Sequence, residues 1–214
     1  SSYNGCTGSP VSVSVTVKPN PVLTALPFTQ TICSGTAISI ALSSNVSGTT
    51  VIWSGSNGNS GNSLTINDSP VNNGTGDLTV TYTVNGSANG CPATTIFPNV
   101  VVHPKVNADA GADKFVTACS GSCVAIGGSP TGSGGSGTLT YAWSPSTSLS
   151  STTTANPNAC NVGSNTTYTV VVTDGNNCSA SDAVAITVVP SNLTAEAGSG
   201  GALCLGTGDS VMLG

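Results

Sequence analysis

The 214-residue chain carries charge on only 5% of its residues, three lysines and eight acids with no arginine, for a net charge of −5. Almost nothing is left to neutralise nucleic-acid phosphates or to hold an acidic membrane surface, so neither is an expected partner, and no apolar run approaches the length of a membrane span, so direct membrane insertion is not expected. The 37% hydrophobic content is sufficient for cores of ordinary density, and disorder would need low hydrophobicity together with high net charge, so the chain is expected to fold.

In chain order, the first predicted element is a strand. Val11, Val13, Val15 and Val17 alternate with Ser and Thr, a period of two that gives one core face and one wet face, and the run stops at the prolines of KPNP. This strand follows Asn-Gly-Cys6. Next comes TICSGT around Cys33, with Ile40 seven places on, then an apolar stretch ending at Trp53, then Leu78, Val80, Tyr82 and Val84 alternating with threonines. Asn-Gly-Cys91 and the exit VVVHP close this stretch. The same features then return in the same order: Cys119-Ser-Gly121 with Ile126, Trp143 in YAW, TYTV at Tyr168, Asn-Asn-Cys178, and Val184, Ile186 and Val188 before Pro190. A third opening, Cys204-Leu-Gly206 with Val211, begins again. Gly, Asn, Ser and Pro fill the gaps and no helical period appears.

The cysteines measure the repeat. Cys33, Cys119 and Cys204 are separated by 86 and 85 positions, and Cys6, Cys91 and Cys178 by 85 and 87. We therefore expect residues 1–19 to be the C-terminal strand of a preceding repeat, 20–105 and 106–190 to be complete repeats, and 191–214 to be the N-terminal part of a following one. The proline-bearing joints VKPNPV, VVHPKV and VVPSNL mark the boundaries, and the chain reads as a segment of something longer. A unit of this length, with a Trp on an early-middle strand and a Tyr on a late one, matches an immunoglobulin-like antiparallel β-sandwich, so the fold class is all-β with sandwiches in tandem.

Eight cysteines without a CxxC pair, and a single histidine, His103, with no cysteine close by, do not make a zinc site; they read as disulfides of an extracellular protein. If equivalent positions pair in equivalent ways, the bridges are Cys33–Cys91 and Cys119–Cys178. Cys123 and Cys160 have no counterparts in the first repeat, where Ala37 and a position near Gly74 stand instead, so they are expected to bond to each other. Cys6 and Cys204 are left without partners inside the segment. Each long loop closed in this way stabilises the fold by on the order of 4 kcal/mol in the chain-entropy picture.

Catalysis has little to work with, and no catalytic or cofactor-binding residue is expected. General acid–base or nucleophilic chemistry needs a tuned base, whereas His103 reads as a solvated strand-end residue before a proline. Asp109 and Asp113 in the joint NADAGAD are weak calcium candidates; the corresponding joint holds only Glu196, and solvated linker carboxylates are the favoured reading. Trp53 and Trp143, at equivalent places in two repeats, read as core residues rather than as a sugar-stacking platform, and Tyr82 and Tyr168 as strand-packing residues. Asn45, Asn67, Asn73, Asn85, Asn165, Asn177 and Asn192 stand in glycosylation sequons, many of which arise by chance in so Asn- and Ser-rich a chain.

TICSGT followed by VIWSG, VTYTVNGSANGC and VVVHPK resembles the PKD-like repeats of very large bacterial surface proteins, and GADKFVTACSGSCVAIGGSP, LTYAWSPSTSLSSTTTANP, TTYTVVVTDGNNCSA and AVAITVVP resembles a neighbouring repeat type in them. These are the gliding-motility adhesins and related giant proteins exported by the type IX route. The resemblance implies PKD-like sandwiches, a location at the bacterial cell surface, and a long stalk or filament with an adhesive role. Its partners would be neighbouring repeats, with self-assembly into filaments and a surface glycan or other adhesion target as further expectations. An accessory carbohydrate-binding module of a secreted polysaccharide-degrading enzyme is the alternative.

Overall fold

A computed structural model describes residues 2–3, 6–7, 9, 11–117 and 121–190; side chains are described from residue 9 onward. Cys119, Glu196, Asn192, Cys204, Val211 and the stretch 191–214 lie outside the described residues, as does the side chain of Cys6. The chain divides into two compact units, one of Ser1–Gln30, Ile38–Asp68 and Val80–Asn99, the other of Thr31–Ala37, Ser69–Thr79 and Val100–Gly214.

The first unit contains a three-stranded antiparallel sheet of β1 (Leu23–Leu26), β3 (Ile38–Ser44) and β5 (Thr65–Asp68), in that order. A larger sheet runs in the order β2 (Thr29–Cys33), β7 (Asn99–His103), β6 (Leu78–Ala88), β4 (Thr50–Gly55) and the short Ser60–Gly61, with Cys91–Pro92 folding back on β6. Alternation explains the sandwich: Ile38, Ile40 and Leu42 point inward from β3, and Val80, Tyr82 and Val84 from β6, all 5% exposed or less. The two sheets are tied by Tyr82, whose hydroxyl on β6 donates to Asp68 Oδ2 on β5 at 2.6 Å. Trp53 meets Tyr82 edge-on at 6.1 Å between centroids. The Trp53 ring lies against Gly61, where an added Cβ would come within 2.6 Å of it, so only glycine fits beneath the indole.

In the second unit, β9 (Lys114–Thr117), β15 (Ser179–Val189), β14 (Thr166–Thr173) and β12 (Thr140–Ser144) form a four-stranded sheet in that order. β9 runs parallel to β15; the other pairings are antiparallel. Two small ribbons complete the fold, β8 (Val106–Ala108) with β11 (Gly132–Gly134) and β10 (Cys123–Ala125) with β13 (Asn158–Cys160). The core gathers Val106, Ile126, Trp143, Tyr168, Val170, Val172, Val184 and Ile186, with Cys178 inside it and Cys33 packed against it. The architecture is all-β, and the sandwiches are immunoglobulin-like.

Ile40 and Ile126, each seven places after an opening cysteine, are buried to 0% and 1% exposure. Two expectations are corrected. Residues 11–22 form no strand, and Val11, Val13, Val15 and Val17 are 80–87% exposed. Alternation encodes a face, but a strand exists only against a neighbour, and among the described residues none lies beside this run. Leu78, expected on the core face of β6, is 40% exposed because it sits at the strand's first residue.

Candidate functional site

The polar and sulfur chemistry of the second unit converges on one disulfide. Cys33, at the end of β2, is bonded to Cys178 across 145 positions of sequence, with Cα atoms 5.5 Å apart. This corrects the expected pairs Cys33–Cys91 and Cys119–Cys178. The reason is positional: residues 31–37 pack within the second unit, so Cys33 meets the closing cysteine of the second repeat and not that of its own. Cys91 is consequently a free, half-buried thiol. Cys123 and Cys160 stand opposite each other in the β10–β13 register and are bonded.

Each half of the Cys33–Cys178 bridge is held by its own polar scaffold. On the Cys33 side, Asn72 is 4% exposed, and its amide donates to the carbonyls of Gly76 and Val102, both at 2.8 Å, while its side-chain oxygen accepts from Gly74 N at 2.9 Å. Its backbone N–H donates to Ser34 Oγ, next to Cys33, at 2.9 Å. On the Cys178 side, Asp174 is 5% exposed and accepts from the backbone N–H groups of Ser136 (2.8 Å), Asn176 and Cys178 (2.9 Å each). Burial alone would raise its pKa, but these three donors and the nearby His103 favour the carboxylate, and the net pKa lies below the ordinary 3.8. The Asp-Gly-Asn-Asn turn is thereby fixed with Cys178 aimed inward, and buried polar groups so completely partnered make the turn rigid.

His103 borders the same turn. Its Nδ1 is 2.8 Å from Asp77 Oδ1, to which it donates when that nitrogen carries the proton, and 3.2 Å from Asn176 Nδ2. The expected solvated histidine is therefore partnered. Its partners here are a carboxylate and an amide. At the calcium candidates, Asp109 Oδ1 accepts from Gly111 N and Asp113 Oδ1 from Ala185 N, both at 2.8 Å, so each carboxylate fastens backbone. Among the described residues, no group of three or more His, Cys, Asp or Glu is placed to hold a metal.

The tryptophans are core residues, 7% exposed at Trp53 and 4% at Trp143. Trp143 Nε1 donates to the Thr154 carbonyl at 3.0 Å, whereas Trp53 Nε1 is buried without a partner. Several sequon asparagines are structural: Asn45 Oδ1 accepts from Val22 N, Asn85 Oδ1 from Thr95 Oγ1 and Asn165 Oδ1 from Val188 N. Sequence reasoning singled out neither Asn72, Asp174 nor Asp77. The one signal for Asp174 was the turn composition DGNN, in which an Asp caps its own turn.

No family profile matches the chain, and no curated protein matches it. Solved structures show a distant likeness. Titin domains I67–I69 align with a TM-score of 0.32 at 13% identity over 80% of this chain, which spans 64% of that titin chain. The N-terminal Ig1-2 module of the Drosophila receptor protein tyrosine phosphatase DLAR aligns at 0.30 and 12% identity, over 80% of this chain and 100% of that one. Mouse cadherin-23 EC22–24 aligns at 0.32 and 12% identity, over 80% and 65%. Likenesses this distant carry no functional argument.

Proposed function

We propose that the chain is a structural and adhesive stretch of a long extracellular surface protein, built from repeats at residues 20–105 and 106–190 that follow one another as a stalk. What carries this reading is that the features which recur in the same order along the sequence return as core positions in both repeats: Trp53 and Trp143, Tyr82 and Tyr168, Val100 and Ile186 are all buried. The most elaborate chemistry is spent on disulfides and on the buried polar groups that position them, as suits a load carrier outside the cell. The resemblance to repeats of giant bacterial adhesins supports a bacterial surface, type IX export and filaments that reach toward a glycan or other target.

Small-angle scattering of the chain tests the reading. A stalk segment gives a pair-distance distribution with a long tail, as two sandwiches end to end require. A single symmetric peak, from units folded face to face, would overturn it.

A further inference from the structure

Three features of the first unit find their explanation in the second. Lys18 and His103 are equivalent in the repeat, each standing after a valine run and before a proline, and Asn89 and Asn176 are equivalent, each two places before a closing cysteine. The structure brings both pairs together: Lys18 Nζ donates to the Asn89 carbonyl at 2.9 Å, and His103 Nδ1 lies 3.2 Å from Asn176 Nδ2. The same junction, where the end of one repeat meets the closing turn of the next, is thus formed twice. Beside Asn176 it is completed by the Cys33–Cys178 bond; beside Asn89 the closing cysteine, Cys91, is free. Upstream of Lys18 the four valines of residues 11–17 are almost wholly exposed, although their counterparts Val100 and Val102, and Val184 and Ile186, are buried in paired strands.

Resting on the reading of the chain as a tandem array, we propose that a preceding repeat of the same chain completes this junction. Its late TYTV-type strand pairs antiparallel with residues 11–17, as β14 pairs with β15, and its opening cysteine, in a Cys-X-Gly setting, bonds to Cys91 as Cys33 bonds to Cys178. The opening cysteine of each repeat is then linked to the closing cysteine of the next, and successive repeats are joined covalently twice, by the peptide chain and by sulfur. Forming the bond removes one proton and one electron from each thiol. A disulfide oxidant of the dithiol-exchange class accepts both electrons and both protons, its own S–S bond opening to two thiols.

The test is disulfide mapping of the full-length protein from its native cells, digested without reduction after thiols are blocked. Cys91 is expected in a peptide linked to a Cys-X-Gly peptide from outside residues 1–214, with Cys33 linked to Cys178. Recovery of Cys91 blocked as a thiol, bonded to Cys33, or bonded to Cys119 or Cys204 of a second copy would overturn the proposal. Hydrogen exchange on the same protein reads the strand: amides of residues 11–17 should be protected at least 100-fold, and exchange at random-coil rates would overturn that pairing. Scattering from the 214-residue chain is unaffected by either outcome, so failure here is separable from failure of the stalk reading.

Discussion

Asp174 shows how much one side chain can fix. Its pKa is lower folded than unfolded, so its stabilisation is complete above about pH 4 and is lost as pH falls through the folded value. Between pH 6 and pH 2, the melting temperature of the native protein should fall more steeply than that of Asp174→Asn. At pH 7 that variant should already be about 1–3 kcal/mol less stable in urea titrations, because the amide group cannot accept all three N–H donors. Parallel pH curves would show that Asp174 titrates alike in both states. Tyr82 is the counterpart in the first unit. Burial, then the bonded Asp68, push its hydroxyl well above the ordinary 10, and Tyr82→Phe should cost about 1.5–3 kcal/mol by denaturant unfolding, with no loss expected if the bond to Asp68 is idle. At this scale the apolar anchors were legible, since Trp53, Trp143, Tyr82 and Tyr168 sit at repeated positions in alternating runs. Asn72, Asp77 and Asp174 were not, because a polar residue in a polar loop gives no sign of which backbone groups it will meet.

Strands read well wherever alternation met a neighbour, as in β6 and β15, and failed at residues 11–17 where it did not. The disulfides failed for another reason. Equivalent pairing is satisfied equally by bridges closed within a repeat and by bridges from one repeat to the next, and spacing alone cannot choose between them. Cys123–Cys160 was readable because both residues are present in one repeat and absent from the other. The two observed bridges differ in accessibility: Cys178 is 3% exposed inside the core, whereas Cys123 is exposed. Under mild reductant without denaturant, alkylation should therefore appear at Cys123 and Cys160 before Cys33 and Cys178. The reverse order would mean that the turn around Asp174 opens readily. Cys33→Ser should also destabilise the second unit more than Cys123→Ser, since loops of 145 and 37 positions correspond to about 5 and about 4 kcal/mol of chain entropy.

Across the whole molecule, cohesion comes from apolar burial and sulfur, with little from charge. Among the described residues the one contact between a basic side chain and a carboxylate is His103 with Asp77, and with 5% of residues charged there is little for salt to screen. The melting temperature should move by no more than about 2 °C between 0.02 and 0.5 M NaCl, whereas full reduction should lower it by tens of degrees. A strong salt dependence would point to an electrostatic network that the fold does not display.

The Cys33–Cys178 bond also sets how the chain would respond to pulling. Tension applied along the backbone passes from Cys33 to Cys178 through sulfur, so the 145-position span between them stays slack even after its strands have unravelled. That span corresponds to about 500 Å of extended chain. In a single-molecule stretching trace, this length should appear only after reduction: an oxidised tether stays short under force, and a reduced one lengthens.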